Sequence, residues 1–201
     1  MSNKRTNSSH QFLFKFVSIA MLSAVAFVLM LFEFPLLPSN YLKMDFGDVP
    51  AIVGGLLFGP VWAVVIELFK NILELIIRGA GTQMGFGNLM NFIIGCAFCI
   101  PYCTIARKFF LGAQKKNAGS IVAASVAATA ITVAVGFGAN YVIAPLFFKY
   151  FLKIELDSNG ALAAATTATA FNPIKCAILV VISALLLTLV IPRIKKAVKF
   201  Y

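Results

Sequence analysis

Amides and a cation recur in this chain where an apolar polypeptide has least use for them. Asn88 and Asn91 open one apolar run, Asn140 and Tyr141 close another, and Asn172 and Lys175 open a third. Such groups bind rather than transform. An amide donates and accepts, an ammonium donates, and a phenol ring adds a flat wall with a polar edge. Together they suit a flat, polar-edged, largely uncharged ligand. The chain has no H-E-x-x-H, no G-x-S-x-G and no G-x-x-x-x-G-K-[ST] stretch, and its single histidine, His10, lies in a polar N-terminal segment. Without a nucleophile–base pair it is not read as an enzyme, and without a phosphate loop it is not its own ATPase by that route.

Each polar residue also has an ordinary reading. Asn172 followed by Pro173 makes a good helix start, with Asn at the N-cap and Pro in the first turn. Asn88 can cap its own helix. Lys175 can snorkel towards headgroups. However, a cation near a helix N-terminus sits at the unfavourable end of the dipole, so an acceptor from protein or ligand is expected beside it. Glu67, Lys70, Asn71 and Glu74 share one helix face at i, i+3, i+4 and i+7. They read as an ion-pair seam, with a proton or ion relay as the alternative. Cys96, Cys99 and Cys103 fall at i, i+3, i+7 and read as small packing residues, so neither metal nor cofactor is expected.

These side chains need a membrane scaffold to position them. Of 201 residues, 61% are hydrophobic and 12% charged, and mean hydropathy is +0.94. A soluble domain carries about twice that charge. The net charge of +10 is clustered at the ends of apolar segments, a topology signal rather than a nucleic-acid surface. Apolar runs span Phe16–Leu37, Val49–Ile77, Phe86–Ala106, Ser120–Ala139 and Ala168–Ile191. The small-residue stretch Ala24–Ala26 looks like a signal-peptidase site, but the apolar run continues past it, so a retained first helix is expected.

The second run would be about 43 Å long as one helix, against a hydrocarbon core of about 30 Å. Gly59-Pro60 inside it is a turn signal. Basic clusters at Lys4/Arg5/Lys15, Arg107/Lys108/Lys115/Lys116 and Arg193/Lys195/Lys196/Lys199 contain no acidic residue. All three on the cytoplasmic side demand an even number of crossings between neighbouring clusters, so the run is split. The expectation is an all-α integral membrane protein forming a single domain. It has six transmembrane helices, at about 16–35, 49–58, 60–78, 86–107, 119–139 and 171–191, the second short and both termini cytoplasmic. The first fifteen residues are a cytoplasmic tail. Outer loops then cover Pro35–Pro50, Arg78–Gly85 and the stretch from Asn140 to helix 6. The polar outliers gather at the outer end, with Tyr41, Lys43, Asp45 and Asp48 in the loop above them.

Three stretches carry a family resemblance: "YLKMDFGDVPAIVGGLLFGP" at 41–60, "GFGNLMNFIIG" at 85–95 and "FNPIK" at 171–175. The chain resembles the substrate-capture (S) components of energy-coupling factor (ECF) vitamin transporters, in their riboflavin-specific branch. The resemblance covers nearly the whole chain and is most specific in its first stretch. It implies a bacterial plasma-membrane subunit that takes riboflavin as transported ligand from outside, with high affinity and without chemical change. It also implies two kinds of partner, a transmembrane coupling protein and two ATP-binding-cassette ATPases. The family's helix 1 alanine motif, which contacts the coupling protein, falls on Ala20 and Ala24. Its flavin-holding asparagine and Asn-x-x-Lys fall on Asn140, Asn172 and Lys175. The covering loop would contribute Leu42, Lys43 and Met44. Alternatives are an S component for another vitamin, or a stand-alone secondary transporter using Glu67, Lys70 and Glu74.

Overall fold

A computed structural model describes residues 2–35, 43–79, 85–111 and 118–198. Six helical runs account for nearly all of them. α1 spans Ser2–Met30, α2 Asp48–Phe58, α3 Pro60–Arg78, α4 Phe86–Ala106, α5 Ala118–Phe147 and α6 Ser158–Leu185. Wider π-helical turns extend three of them, Arg107–Leu111 after α4, Phe148–Leu152 after α5 and Leu186–Val190 after α6. The last leads straight into α7, Ile191–Val198, so α6 and α7 form one run. A two-residue ribbon, β1 (Phe34–Pro35) with β2 (Lys43–Met44), brings the chain back from α1 to α2.

The break between α2 and α3 lies at Gly59-Pro60. Gly59 has φ 118°, a conformation open in practice only to glycine, and Pro60 begins α3 where its missing N–H costs nothing. α2, eleven residues and about 16 Å long, is too short to cross a membrane alone. It lies inside the bundle instead. Gly55 makes this approach possible, because a Cβ there would stand 2.5 Å from Cys103 Sγ and 2.9 Å from the Ala63 Cβ. Both ends of α2 are charge-matched. Asp48 occupies its first turn, and the Arg107 guanidinium donates to the Leu56 carbonyl at 2.5 Å near its C-terminus.

The packed centre joins α2 through Ile52 and Leu56, α3 through Ile66, and α4 through Phe98 and Tyr102. Large apolar side chains such as Val61, Ile76, Val122, Val126 and Val181 face outwards. Glu67 and Lys70 face inwards and are fully buried. That arrangement, oil outside and charge inside, belongs to a bilayer rather than to water. Among the described residues four runs are long and apolar enough, by length and composition, to cross a membrane. α3 falls outside that set because it carries Glu67, Lys70, Glu74 and Arg78.

α5 and α6 differ from the sequence expectation. Helix 5 does not end at 139, nor does helix 6 begin at 171. α5 runs on through Asn140 and Tyr141, and only residues 153–157 separate its π turn from α6. α6 starts at Ser158, where the Asp157 carboxylate accepts from the Gly160 N–H at 2.8 Å. The cause is local. Alanine is the best helix former, and the Thr166, Thr167 and Thr169 hydroxyls bond back to carbonyls of their own helix. A stretch that reads as a polar approach to a helix is therefore helix. Asn172 and Pro173 consequently lie in the middle of α6, not at an N-cap and first turn.

Candidate ligand site

The site grows from one carboxylate. Asp48, 1% exposed at its side chain, stands in the first turn of α2 and meets lysines from two other helices. Lys70 of α3 bonds its Oδ1, and Lys175 Nζ of α6 lies 2.9 Å from its Oδ2. Lys70 also pairs with Glu67 at 2.8 Å, one turn before it on α3. Lys175 reaches the Asn91 Oδ1 of α4 at 3.5 Å. The Asn91 Nδ2 donates in turn to Asp45 Oδ2 at 3.3 Å, and Asp45 Oδ1 accepts the Gly47 N–H at 2.7 Å. Opposite charges alternate along Glu67, Lys70, Asp48 and Lys175, so each buried ion has a partner of the other sign.

Two groups that the sequence suggested as separate are therefore one. The ion-pair seam of α3 and the Asn/Lys cluster share Asp48. The acceptor expected beside Lys175 is a protein group, this carboxylate, and the lysine does not snorkel. Glu74 takes a different course. It pairs with Arg78 at 3.3 Å and accepts from Asn88 Nδ2 at 2.6 Å, while Arg78 also reaches Glu33 at 3.4 Å. Asn88 and Glu74 thus belong to a second, more exposed polar group nearer the end of α3. The sequence puts Asp45 and Asp48 in a covering loop and Glu67 and Lys70 in a separate seam, and does not join them to the ligand residues. The signal was present, since charges deep in an apolar bundle must balance, and a buried Lys175 requires a buried acid.

Asn172 lies beside this network at 2% exposure. Its Nδ2 is buried without a hydrogen-bond partner among the described residues. It fits against α5 only because residue 136 is glycine, where a Cβ would stand 2.2 Å from that nitrogen. Asn71 Oδ1 and Glu67 Oε1 are likewise buried without a hydrogen bond. Asn140 turns its amide to its own helix, donating to the Gly136 carbonyl at 2.7 Å. Tyr141 stays outside the group, 43% exposed and stacked on Phe137 with ring centroids 6.4 Å apart. Met44 is fully buried. Lys43 lies in β2, and Leu42 falls outside the described residues. On α1, Ala20 and Ala24 are exposed, whereas Ser23 between them is buried and bonds the Ile19 carbonyl at 2.9 Å.

This constellation offers a buried cation and, among the described residues, one unpartnered amide donor, within a fold that now has known counterparts. Residues 14–190 match the family described as "ECF transporter, substrate-specific component". The chain belongs to that family. Among its relatives, riboflavin transporter FmnP of Bacillus subtilis (strain 168) is 37% identical over 186 residues, covering 90% of this chain and 94% of the relative. Riboflavin transporter RibU of Staphylococcus aureus (strain TCH60) is 30% identical over 177 residues, covering 86% and 87%. A solved S component of a bacterial ECF transporter superposes with a TM-score of 0.65 at 24% identity, covering 92% of this chain and 97% of that one. The last likeness carries the fold, six helices with a short second one. As an ECF substrate-specific component, the chain is a multi-pass protein of the bacterial cell membrane. Asp48, Lys175 and Asn172 then lie inside a subunit whose family is defined by choosing a substrate.

Proposed function

We propose that this subunit captures riboflavin at high affinity from the extracellular side and hands it on chemically unchanged. The reading rests on family membership, on two relatives matched over more than four fifths of their length that are named riboflavin transporters, and above all on one feature of the site. That feature is the buried Asn172 amide nitrogen without a partner among the described residues, three positions before Lys175 on α6, whose ammonium is already balanced by Asp48. A neutral, acceptor-rich ring edge satisfies both donors and brings no charge of its own. Lys175 would meet a ring carbonyl and Asn172 would donate to a neighbouring acceptor. Asn91 and Asn140 lie on the adjoining helices, and the segment with Lys43 and Met44 would help to cover the ring.

The basic clusters support cytoplasmic termini, an orientation in which the Asp48 end of the bundle would face outside. Capture alone moves nothing uphill. The energy would come from a transmembrane coupling protein and two ATP-binding-cassette ATPases, with the coupling protein packing on the exposed Ala20 and Ala24 face of α1. The deciding experiment is purification in detergent without added ligand, followed by absorbance and a riboflavin titration. A yellow preparation, or tight binding of added riboflavin in preference to other vitamins, is expected. A colourless protein that binds another vitamin from the panel and not riboflavin overturns the reading.

A further inference from the structure

Asp48 does more in this geometry than neutralise a charge. Both of its oxygens are committed, Oδ1 to Lys70 and Oδ2 to Lys175, on opposite sides of one carboxylate. It is the point where α2, α3 and α6 meet in charge. The segment that carries it is held a second time, since Asp45 bonds both Gly47 and Asn91, and Asn91 reaches Lys175. Lys175 is therefore gripped from two directions by groups tied to the start of α2. An ammonium has three N–H donors. Among the described residues Asn91 Oδ1 accepts one of them and Asp48 Oδ2 stands at ion-pair distance, so donor capacity remains for a ligand.

A lysine without this grip would have four rotatable bonds and an uncompensated charge in an apolar bundle. It would bind best to an anion. With Asp48 in place the cation is already balanced, so the remaining donor can serve a neutral acceptor in a fixed direction. Lys70 and Glu67 stand behind it. Lys70 holds the other oxygen of Asp48, and Glu67 balances Lys70. The carboxylate cannot turn away from Lys175 without breaking a second buried ion pair.

We infer that Asp48 is the positioning residue for Lys175, fixing the direction and charge balance of the donor that meets the ligand. This rests on the riboflavin reading above. The test is a double-mutant cycle on riboflavin binding by the full chain, using Asp48→Asn, Lys175→Met and the double variant. Each single change is expected to weaken binding about tenfold to a hundredfold, the scale of a lost hydrogen bond to a charged group. If Asp48 acts through Lys175, adding Asp48→Asn to Lys175→Met changes affinity by no more than about twofold. The near-ultraviolet absorption band of bound flavin, which responds to hydrogen bonding at the ring carbonyls, is expected to shift in the same direction in both single variants.

Losses that add in the double variant, or a band unmoved by Asp48→Asn, would overturn the proposal and leave the riboflavin reading standing. A wild-type chain that does not bind riboflavin overturns both. Should Asp48→Asn fail to fold, Asp48→Glu carries the same cycle. It keeps the charge but moves the carboxylate by one methylene. A loss is then expected in the native background and none beyond about twofold in the Lys175→Met background.

Discussion

Replacing Gly136 with alanine is the smallest change that should disable the site. A Cβ at position 136 would stand 2.2 Å from Asn172 Nδ2 and 3.3 Å from Asn172 Cγ. Ordinary contact begins at 3.4 Å. The amide nitrogen must then retreat by about 1.2 Å, or α5 and α6 must part, against dispersion contacts already at their optimum. Asn172 is almost fully buried, so it has no open space to swing into. Overpacking of this kind costs about 1–3 kcal/mol. If the ligand needs the amide where it now stands, that cost appears in binding as a loss of about fivefold to a hundredfold. Stability should change less, because alanine is favoured over glycine within a helix by up to about 1 kcal/mol. The assay is riboflavin titration by fluorescence quenching, paired with a thermal melt. Gly138→Ala is the internal control, since it lies on the same helix with nothing within 4 Å of the added methyl. Affinity in Gly136→Ala within twofold of wild type, or an equal loss in both variants, would refute the argument.

Lys70→Met leaves the buried Glu67 without its cation and Asp48 with Lys175 alone, and removing one partner of such a pair costs about 3–5 kcal/mol. The thermal melt should fall further than in Lys175→Met, which strands only Asp48's second oxygen, and an unchanged melt would contradict the network's structural role. Ala20→Trp or Ala24→Trp adds bulk on an exposed face of α1, away from the buried Ser23. Vitamin uptake by cells expressing the complete transporter should be lost while riboflavin binding by the isolated subunit persists, and loss of both together would count against this face as the coupling surface.

The parts of this fold that could be read from the sequence are those decided by neighbours in the chain. Gly59-Pro60 is an example, because a positive φ and a missing N–H constrain the backbone wherever the pair occurs. The start of α6 is the opposite case. Thr166, Thr167 and Thr169 lower the apolarity of their stretch, yet each hydroxyl is spent on a carbonyl of its own helix, so the polarity that suggested a loop never reaches the surroundings. Pro173 compounded the misreading, since proline marks a helix start far more often than it sits in a membrane helix where neighbours can satisfy the freed carbonyl.

The site divides along the same line. Asn172 and Lys175 announce themselves because each is out of place in its own segment. Asp48 does not, because an acid before an apolar helix is a routine first-turn residue. Its role depends on Lys175 arriving from α6, and Asn91 meets that lysine across 84 positions and Asp45 across 46. No local pattern encodes those meetings. Electroneutrality does: a lysine placed inside a bilayer without an acid within reach is too costly to keep, so each buried lysine calls for a buried acid beside it. Applied here, two buried lysines call for acids within reach, and among the described residues Asp48 of α2 and Glu67, on the same helix as Lys70, lie within ion-pair distance of them.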